Sequence, residues 1–514
     1  MFPTEIFKAY DIRGIYPEQI NKEFAYNLAR AAVAFYQPEK VIVGYDNRLS
    51  SPEIKEAVIN GLVDSGVKVI DIGLASTPLF NFSVIFDDYA ELGIMITASH
   101  NPKEYNGFKF LDREGMPVGL EFGLSKVRDL MVEGNFPEAE KGSVETKDYK
   151  KEYFEKIFSL VELDKIKPLK VVVDTANAIG GLLIEQVFEK LSCEVEYLYL
   201  ELDGNYPNHE ANPLKTETLK DLQAKVKEMG ADLGVAFDGD ADRIGFVDEK
   251  GNVVPGDIIT AILAPEILKD HPRDKVIYDL RSSWAVKEQI EKAKGFPIMF
   301  KVGRTLIIKE MADEGAAFAG ELSSHFYYKD FYNIESADLT MLLLLEILSK
   351  NGRKLSEIVQ EVDKYFRSGE INFEVKDKDA VLKSLKEKYS DLPNVHFLGW
   401  RKDIPQILKA SDIFILPSLK EAFGLVVLEA MASGVIAIAT NTGGTVDIIE
   451  NEKTGYLISP ANDDKIIETI FTILRNPDKK RQIELNALEK VQKEFTAEKM
   501  TEKTIEVYNK TFDI

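Results

Sequence analysis

Short β-branched runs alternate with helical patterns along nearly the whole chain. The runs "KVIVGYD" (Lys40–Asp46), "VKVIDIG" (Val67–Gly73) and "LGIMITAS" (Leu92–Ser99) are almost continuously apolar and stop at small or polar residues, as strands covered on both faces do. Between the first two lies "SPEIKEAVINGLVDSG", which opens with Ser-Pro and then repeats apolar residues at helical spacing. Such alternation predicts parallel α/β units. A first doubly wound domain closes in the acidic "MVEGNFPEAEKGSVET". The pattern restarts at "LKVVVDTANAIGG" (Leu169–Gly181) and runs through "ADLGVAFDGDADRIGFVDEKGNVV". It restarts again near Pro255, passes through "DKVIYDL" and "GAAFAGELSSHFYY", and closes on helices around Leu339–Phe366.

The expected fold class is therefore α/β: three consecutive α/β domains over residues 1–145, 146–252 and 253–366, followed by a chimeric α/β C-terminal domain. Residues 367–392 read as one strand followed by one helix. From 393 to 514 the character changes: "ASDIFILPS", "GVIAIATN" and "GYLISP" are short strands with helices between them, and charged helices close the chain. No repeat of fixed period is visible, which argues against solenoids and propellers.

At 514 residues the chain is too long for one core, and 45% hydrophobic with 29% charged residues suits a globular protein. A formal charge of -22 argues against nucleic acid or an anionic membrane as partner, because the field of the whole molecule repels polyanions. A phosphate-bearing ligand then needs local Arg, Lys, metal or helix amides. The single cysteine, Cys193, excludes an intramolecular disulfide and a cysteine zinc site, and is expected as a small buried residue at a helix end. The longest apolar run, "LTMLLLLEIL", is too short to span a bilayer and is interrupted by Glu346. "MFPTEIFKAYDIRG" does not read as a secretory signal, so a soluble cytoplasmic protein is expected.

The strongest chemical signal is "GVAFDGDADRIGFVD" (Gly234–Asp248), which places Asp238, Asp240 and Asp242 in one short loop that Gly239 allows to curl. Three such carboxylates repel each other unless a cation joins them, and hard oxygen ligands favour Mg²⁺. An EF-hand fits the first three aspartates and Glu249, but Arg243 stands where its glycine is required and the flanks read as strands. Ser99, followed by His100, ends an apolar run with no G-x-S-x-G elbow around it. In "GELSSHFYYKDF", Glu321, Ser323 and His325 alternate, so a strand backbone would place them on one face, suited to sugar hydroxyls.

Taken in order, "YDIRG", "ITASHNP", "DGDADR" and "GELSSH" resemble the α-D-phosphohexomutase superfamily, most closely its phosphomannomutase/phosphoglucomutase group, over residues 1 to 391. The resemblance implies a phosphoserine at Ser99 that donates and recovers a phosphoryl group. It implies Mg²⁺ held by Asp238, Asp240, Asp242 and an oxygen of that phosphate, with a hexose 1,6-bisphosphate as intermediate and activator. Lys109 and Arg243 would neutralise charge and assist proton transfer, Tyr10, Arg13 and His100 would line the site, and Glu321, Ser323 and His325 would grip the sugar. Arg304 stands where the family often has histidine, a change expected to retune contacts to the substrate phosphate.

The family's fourth domain carries an Arg-Ser-Asn-Thr-like phosphate loop that this chain lacks; only that domain's first strand and helix are expected, over 367–392. From about Asn394 the chain instead resembles the C-terminal half of a retaining GT-B glycosyltransferase of the group-one type. There Glu421 and Glu429 would face a donor sugar and a ribose, and Gly443 and Gly444 would precede a helix whose amides receive a diphosphate. The acceptor domain and the usual Arg and Lys are absent, so little sugar transfer is expected. The implied function is a phosphohexose mutase acting on phosphosugars, impaired by loss of the fourth-domain loop. A nucleotide-sugar-dependent glycosyltransferase and a catalytically weak sugar-phosphate-binding protein are the alternatives. The sequence carries no signal for oligomeric state.

Overall fold

Apolar runs between Ile12 and Glu335 pair into three mixed sheets. The first contains β1 (Ile12–Ile15), β2 (Lys40–Tyr45), β3 (Lys68–Leu74), β4 (Leu92–Ile96), β5 (Tyr105–Asp112) and β6 (Ser143–Thr146), in the order β1-β5-β4-β2-β3-β6. The second contains β7 (Lys170–Asp174), β8 (Glu194–Leu198), β9 (Leu233–Phe237), β10 (Ile244–Asp248) and β11 (Val253–Val254), in the order β11-β10-β9-β7-β8. The third contains β12 (Lys275–Asp279), β13 (Phe296–Phe300), β14 (Phe318–Gly320), β15 (Phe326–Tyr328) and β16 (Ile334–Glu335), in the order β13-β12-β14-β15-β16. This computed structural model describes residues 2–87, 90–365, 396, 398, 401, 403–419, 421, 423–496, 499 and 501. The chain divides into two units, 1–365 and 366–514. The strand and helix expected over 367–392, and most of "NVHFLGW", lie outside the described residues.

One four-strand order recurs in all three sheets of the first unit: β5-β4-β2-β3, β10-β9-β7-β8 and β15-β14-β12-β13. In each, three strands are parallel and the first-named is antiparallel. The repeat is thus one of topology; connections of unequal length hide it from any search for a fixed period.

Strand residues alternate between two cores, as a pleated strand buried on both faces requires. Val41 and Val43 face one cluster with Phe24, Leu28, Ile54 and Leu62 from the helices Lys22–Tyr36 and Ser51–Asp64. Ile42 faces a second cluster that continues through Val171, Phe237, Phe318 and Leu345, joining all three sheets into one unit. The helix Thr77–Phe86 lies in that second core and is buried from Thr77 to Val84. Its Phe82 stacks on Phe331 at 6.1 Å and meets Tyr153 edge-on at 5.7 Å. Anchored this way, the helix presents its first residue, Thr77, to the aspartate loop. Cys193 differs from expectation: it is half-buried in the connection between the helix Ile184–Phe188 and β8, not at a buried helix end.

In the second unit, β17 (Ile413–Leu416), β18 (Ile436–Thr440) and β19 (Tyr456–Ile458) form a parallel sheet in that order. Ala437 and Ala439 face Val427, Met431 and Ile448, while Ile436 and Ile438 face Ile473 and Ile483, so both faces are covered.

Candidate active site

Each loop with candidate chemistry leaves the carboxyl end of the third parallel strand of its sheet and turns into the antiparallel neighbour, the end at which open α/β sheets bind ligands. Ser99 lies between β4 and β5, the aspartates between β9 and β10, and Glu321 to His325 between β14 and β15. Lys109 stands on β5, and Arg13 on β1 opposite Gly107.

Ser99 is buried and has φ of +50°, in the left-handed region. Its hydroxyl donates to Asp238 Oδ2 at 3.0 Å and lies 3.2 Å from His100 Nδ1. Its N–H donates to Thr97 Oγ1 at 2.9 Å. Gly239 permits this approach of two loops, since a Cβ there would stand 2.2 Å from the Ser99 carbonyl oxygen. Burial, with Arg243 and Arg13 nearby, pushes His100 down to about 2, so its ring is neutral.

Asp238 Oδ1 accepts the N–H groups of Asp242 at 3.1 Å and Arg243 at 3.2 Å, which curls the turn. Asp240 Oδ2 accepts from Thr77 Oγ1 at 2.5 Å and from Lys109 Nζ at 2.6 Å, and Asp242 Oδ2 accepts from the same ammonium at 2.6 Å. All three carboxylates are buried, and each offers an oxygen within 4.8 Å of the others. Burial, then repulsion from Asp242 and Asp240, pushes Asp238 up to about 8. Burial also opposes ionisation of Asp242, but Lys109 and His325 hold it well below the usual carboxylate range. Burial likewise opposes the Lys109 charge, which Asp240 and Asp242 nonetheless hold above its ordinary pKa. Asp240 Oδ1 is buried without a hydrogen-bond partner among the described residues, and Asp242 Oδ1 faces the His325 ring, with Nε2 3.3 Å away. An orphaned hard oxygen on Asp240, beside a carboxyl of Asp238 that resists ionisation, marks a place short of positive charge; the donor set fits Mg²⁺.

The third loop is a turn, not the strand its alternation predicts. Ser324 N–H donates to the Glu321 carbonyl at 3.0 Å, Glu321 N–H donates to the His325 carbonyl at 3.0 Å, and Ser324 has φ of +64°. The three side chains still converge: Ser323 Oγ donates to Glu321 Oε2 at 2.5 Å, and His325 Nδ1 lies 3.0 Å from the same oxygen. His325 Nε2 is 3.3 Å from Asp242 Oδ1 and 3.1 Å from Arg243 Nε. Burial disfavours the imidazolium, but Asp242 is foremost among the groups that raise it to about 9. A protonated Nε2 donates to Asp242, whereas Arg243 can donate to it only when the ring is neutral, so the two contacts belong to different protonation states.

Arg13 Nε donates to Asp11 Oδ2 at 2.7 Å and Nη1 to the Ala98 carbonyl at 3.0 Å, beside Ser99. Tyr10 is 39% exposed, its hydroxyl donating to the Val302 carbonyl at 3.3 Å. Arg304 Nε donates to buried Glu335 Oε1 at 2.6 Å, which Asn81 Nδ2 also reaches at 3.1 Å, and Arg304 Nη2 is buried without a hydrogen-bond partner among the described residues. Sequence reasoning missed Thr77, Thr97, Glu335, Asp46 and Arg48. Thr77 carries a helix-start signal in "STP", and Asp46 with Arg48 follows the end of an apolar strand; neither signal names a partner.

In the second unit, Ser418 Oγ donates to half-buried Glu421 at 3.3 Å, and Glu429 is exposed on the helix Leu425–Ala432. Gly443 and Gly444 do precede a helix, but it is the single turn Thr445–Ile448. Thr445 Oγ1 donates back to Thr440 O at 2.5 Å, and a Cβ on Gly444 would lie 2.6 Å from Phe423 Cα. Gly444 is therefore packed closely against the Phe423 backbone.

Models for α/β/α domains I, II and III of phosphoglucomutase/phosphomannomutase match residues 4–137, 151–251 and 255–365. A phosphohexose mutase of Xanthomonas campestris pv. campestris is 38% identical over 390 residues, covering 75% of this chain and 86% of that protein. The chain belongs to the phosphoglucomutase/phosphomannomutase family. A phosphomannomutase of Methanocaldococcus jannaschii is 38% identical over 392 residues, with 75% and 86% covered. The crystal structure of a phosphoglucomutase/phosphomannomutase family protein from Burkholderia thailandensis superposes with a TM-score of 0.67 at 34% identity, covering 71% of this chain and 81% of that one. The model for glycosyl transferases group 1 matches residues 364–490, so this mutase-family chain carries a glycosyltransferase-like α/β region at its C-terminal side. No helix among the described residues is long and apolar enough to cross a membrane.

Proposed function

We propose that this family member is a cytoplasmic phosphohexose mutase that interconverts hexose 6-phosphate and hexose 1-phosphate, of mannose, glucose or both, through a phosphoserine at Ser99 and a hexose 1,6-bisphosphate. The observation that carries the reading is the Ser99 hydroxyl 3.0 Å from Asp238 Oδ2, where loops of three sheets meet. Asp238, Asp240 and Asp242, with an oxygen of the Ser99 phosphate, would hold Mg²⁺. That ion, when bound, supplies positive charge opposite the phosphoryl oxygens.

A sugar hydroxyl oxygen forms a bond to phosphorus as the bond from phosphorus to Ser99 Oγ breaks; the hydroxyl gives up its proton and Ser99 gains one. Return of the other phosphoryl group to Ser99 completes the exchange. Lys109 and Arg243 offset the charge and assist these proton transfers, with Arg13, Tyr10 and His100 lining the cleft. Glu321, Ser323 and His325 offer the mixed acceptors and donors that sugar hydroxyls need. Transfer of this kind depends on position and charge above all.

Without the Arg-Ser-Asn-Thr-like loop, the phosphate remote from the reacting hydroxyl loses its clamp. Bisphosphate then escapes between half-reactions and leaves Ser99 unphosphorylated. Incubation with mannose 1-phosphate or glucose 1-phosphate and Mg²⁺ should show slow turnover that added glucose 1,6-bisphosphate stimulates. Unstimulated turnover as fast as that of a four-domain relative contradicts the leak, and binding without conversion contradicts the mutase reading in favour of a sugar-phosphate-binding protein. The group-one match over 364–490 supports a nucleotide-sugar reading, which ranks second because the mutase domain matches span 4–365 and the Ser99 loop meets the aspartate triplet there.

A further inference from the structure

Arg48 has no part in the chemistry described so far, yet all five of its guanidinium N–H donors are matched inside the protein. Nε donates to Asp46 Oδ2 at 3.1 Å. Nη1 donates to the carbonyls of Pro102 at 2.7 Å and Tyr105 at 3.0 Å; Nη2 donates to those of Ser99 and Asn101, both at 2.6 Å. Four carbonyls of the loop from Ser99 to Tyr105 thus converge on one planar fork, a pattern that a lysine, with three donors on one atom, cannot reproduce.

The fork is itself locked. Its side chain is 1% exposed, its carboxylate partner Asp46 is fully buried and also accepts from Ser51 Oγ at 2.6 Å, and the Tyr206 ring of the second sheet's domain lies 5.6 Å from the guanidinium carbon. A Cβ on Gly204 would stand 2.5 Å from the Asn47 carbonyl oxygen, so the loop carrying Tyr206 presses directly on this segment. At the other end of the Ser99 residue, Thr97 Oγ1 accepts its N–H at 2.9 Å, and the Thr97 hydroxyl is also a hydrogen-bonding neighbour of Asp46. Both polar ends of the Ser99 backbone are therefore tied to the same buried carboxylate, and Ser99 sits at φ of +50°, a sparsely populated conformation for a residue with a Cβ.

We propose that Arg48 and Thr97 are positioning residues for phosphoryl transfer: they fix the left-handed backbone of Ser99 and so aim its Oγ at the aspartate triplet. Both are 1% exposed and bond within the protein, so they act through Ser99. The proposal rests on the mutase reading, and its logic is that a misplacement near 1 Å in a reacting atom costs about 100-fold in rate.

The test compares wild type with R48K, T97V and T97S in the full chain. The readouts are the rate at which Ser99 gains one phosphoryl group from glucose 1,6-bisphosphate, followed by intact mass, the KM for glucose 1-phosphate, and Mn²⁺ affinity by electron paramagnetic resonance. R48K and T97V are expected to take up phosphoryl roughly 100-fold more slowly with KM and Mn²⁺ affinity near wild type, while T97S, which keeps the hydroxyl, recovers most of the rate. Uptake by folded R48K at the wild-type rate overturns the proposal. So does a parallel loss of KM and Mn²⁺ affinity, which would mean that the whole cleft had loosened. Should R48K fail to fold, T97V decides: an unchanged rate overturns the proposal, and a slowed rate restored in T97S supports it. A wild-type protein that takes up no phosphoryl group sinks the mutase reading and this inference with it, whereas normal wild-type uptake matched by the variants sinks the inference alone.

Discussion

Replacing Lys109 with methionine tests whether the aspartate triplet is a cluster starved of positive charge. The ammonium stands 2.6 Å from one oxygen of Asp240 and 2.6 Å from one of Asp242, with only 7% of its side chain exposed. Methionine keeps most of the volume and removes the charge. Breaking a buried ion pair from one side costs about 3–5 kcal/mol, and the lower end applies because the triplet can relieve itself by taking up a proton, as the raised Asp238 already does. Spread over a 365-residue unit with an unfolding entropy of ~2 cal/mol/K per residue, ~3 kcal/mol lowers Tm by roughly 4 °C. The assay is thermal unfolding of wild type and K109M in a chelator and in Mg²⁺. K109M should melt lower in chelator and be raised more by Mg²⁺ than wild type is, because the cation replaces the missing charge. A variant within about 1 °C of wild type in chelator, or equal stabilisation of both by Mg²⁺, would refute the argument.

Glu321→Gln weakens the acceptor that organises Ser323 and His325, and should lower kcat/KM for glucose 1-phosphate by roughly 10-fold to 100-fold, the worth of a charged hydrogen bond; a change below about twofold contradicts the sugar-gripping role. Gly239→Ala drives a methyl group to within 2.2 Å of the Ser99 carbonyl oxygen and should lower kcat by about 100-fold, with retention of wild-type turnover as the contrary result. Asp338, buried beneath the Tyr153 hydroxyl at 2.6 Å, is raised by burial to about 6 from 3.8, so the folded state binds its proton more tightly than the unfolded state. Its stabilising contribution is full below about pH 4 and is lost as pH rises through about 6, amounting to about 3 kcal/mol at most. The stability of wild type relative to D338N should fall across that window in urea titrations, and a difference independent of pH would contradict the assignment.

Legibility in the sequence followed the distance over which a signal acts. The buried strands were readable because their apolar residues are consecutive, and the aspartate loop because its three carboxylates and its glycine are neighbours. The loop of Glu321 misled: its alternation imitates a strand, while Ser324 takes the left-handed conformation that closes a turn. Arg48 and Thr77 were invisible as site residues because their partners lie 51 and 163 positions away, and a polar residue after a strand or at a helix start has an ordinary local explanation. That Glu335 holds the Nε of Arg304 is likewise invisible locally, because the two lie 31 positions apart. The threefold recurrence of strand order is not legible in the sequence because the pairings preserve it while the connection lengths do not.

One hydroxyl, held against the aspartate triplet, is proposed to carry the phosphoryl group between sugars. Mapping the modified peptide after incubation with glucose 1,6-bisphosphate and Mg²⁺ tests it most directly. Wild type should carry phosphate on Ser99, and S99A should carry none and lose mutase turnover with it. Phosphate on another residue, or turnover undiminished in S99A, would contradict it.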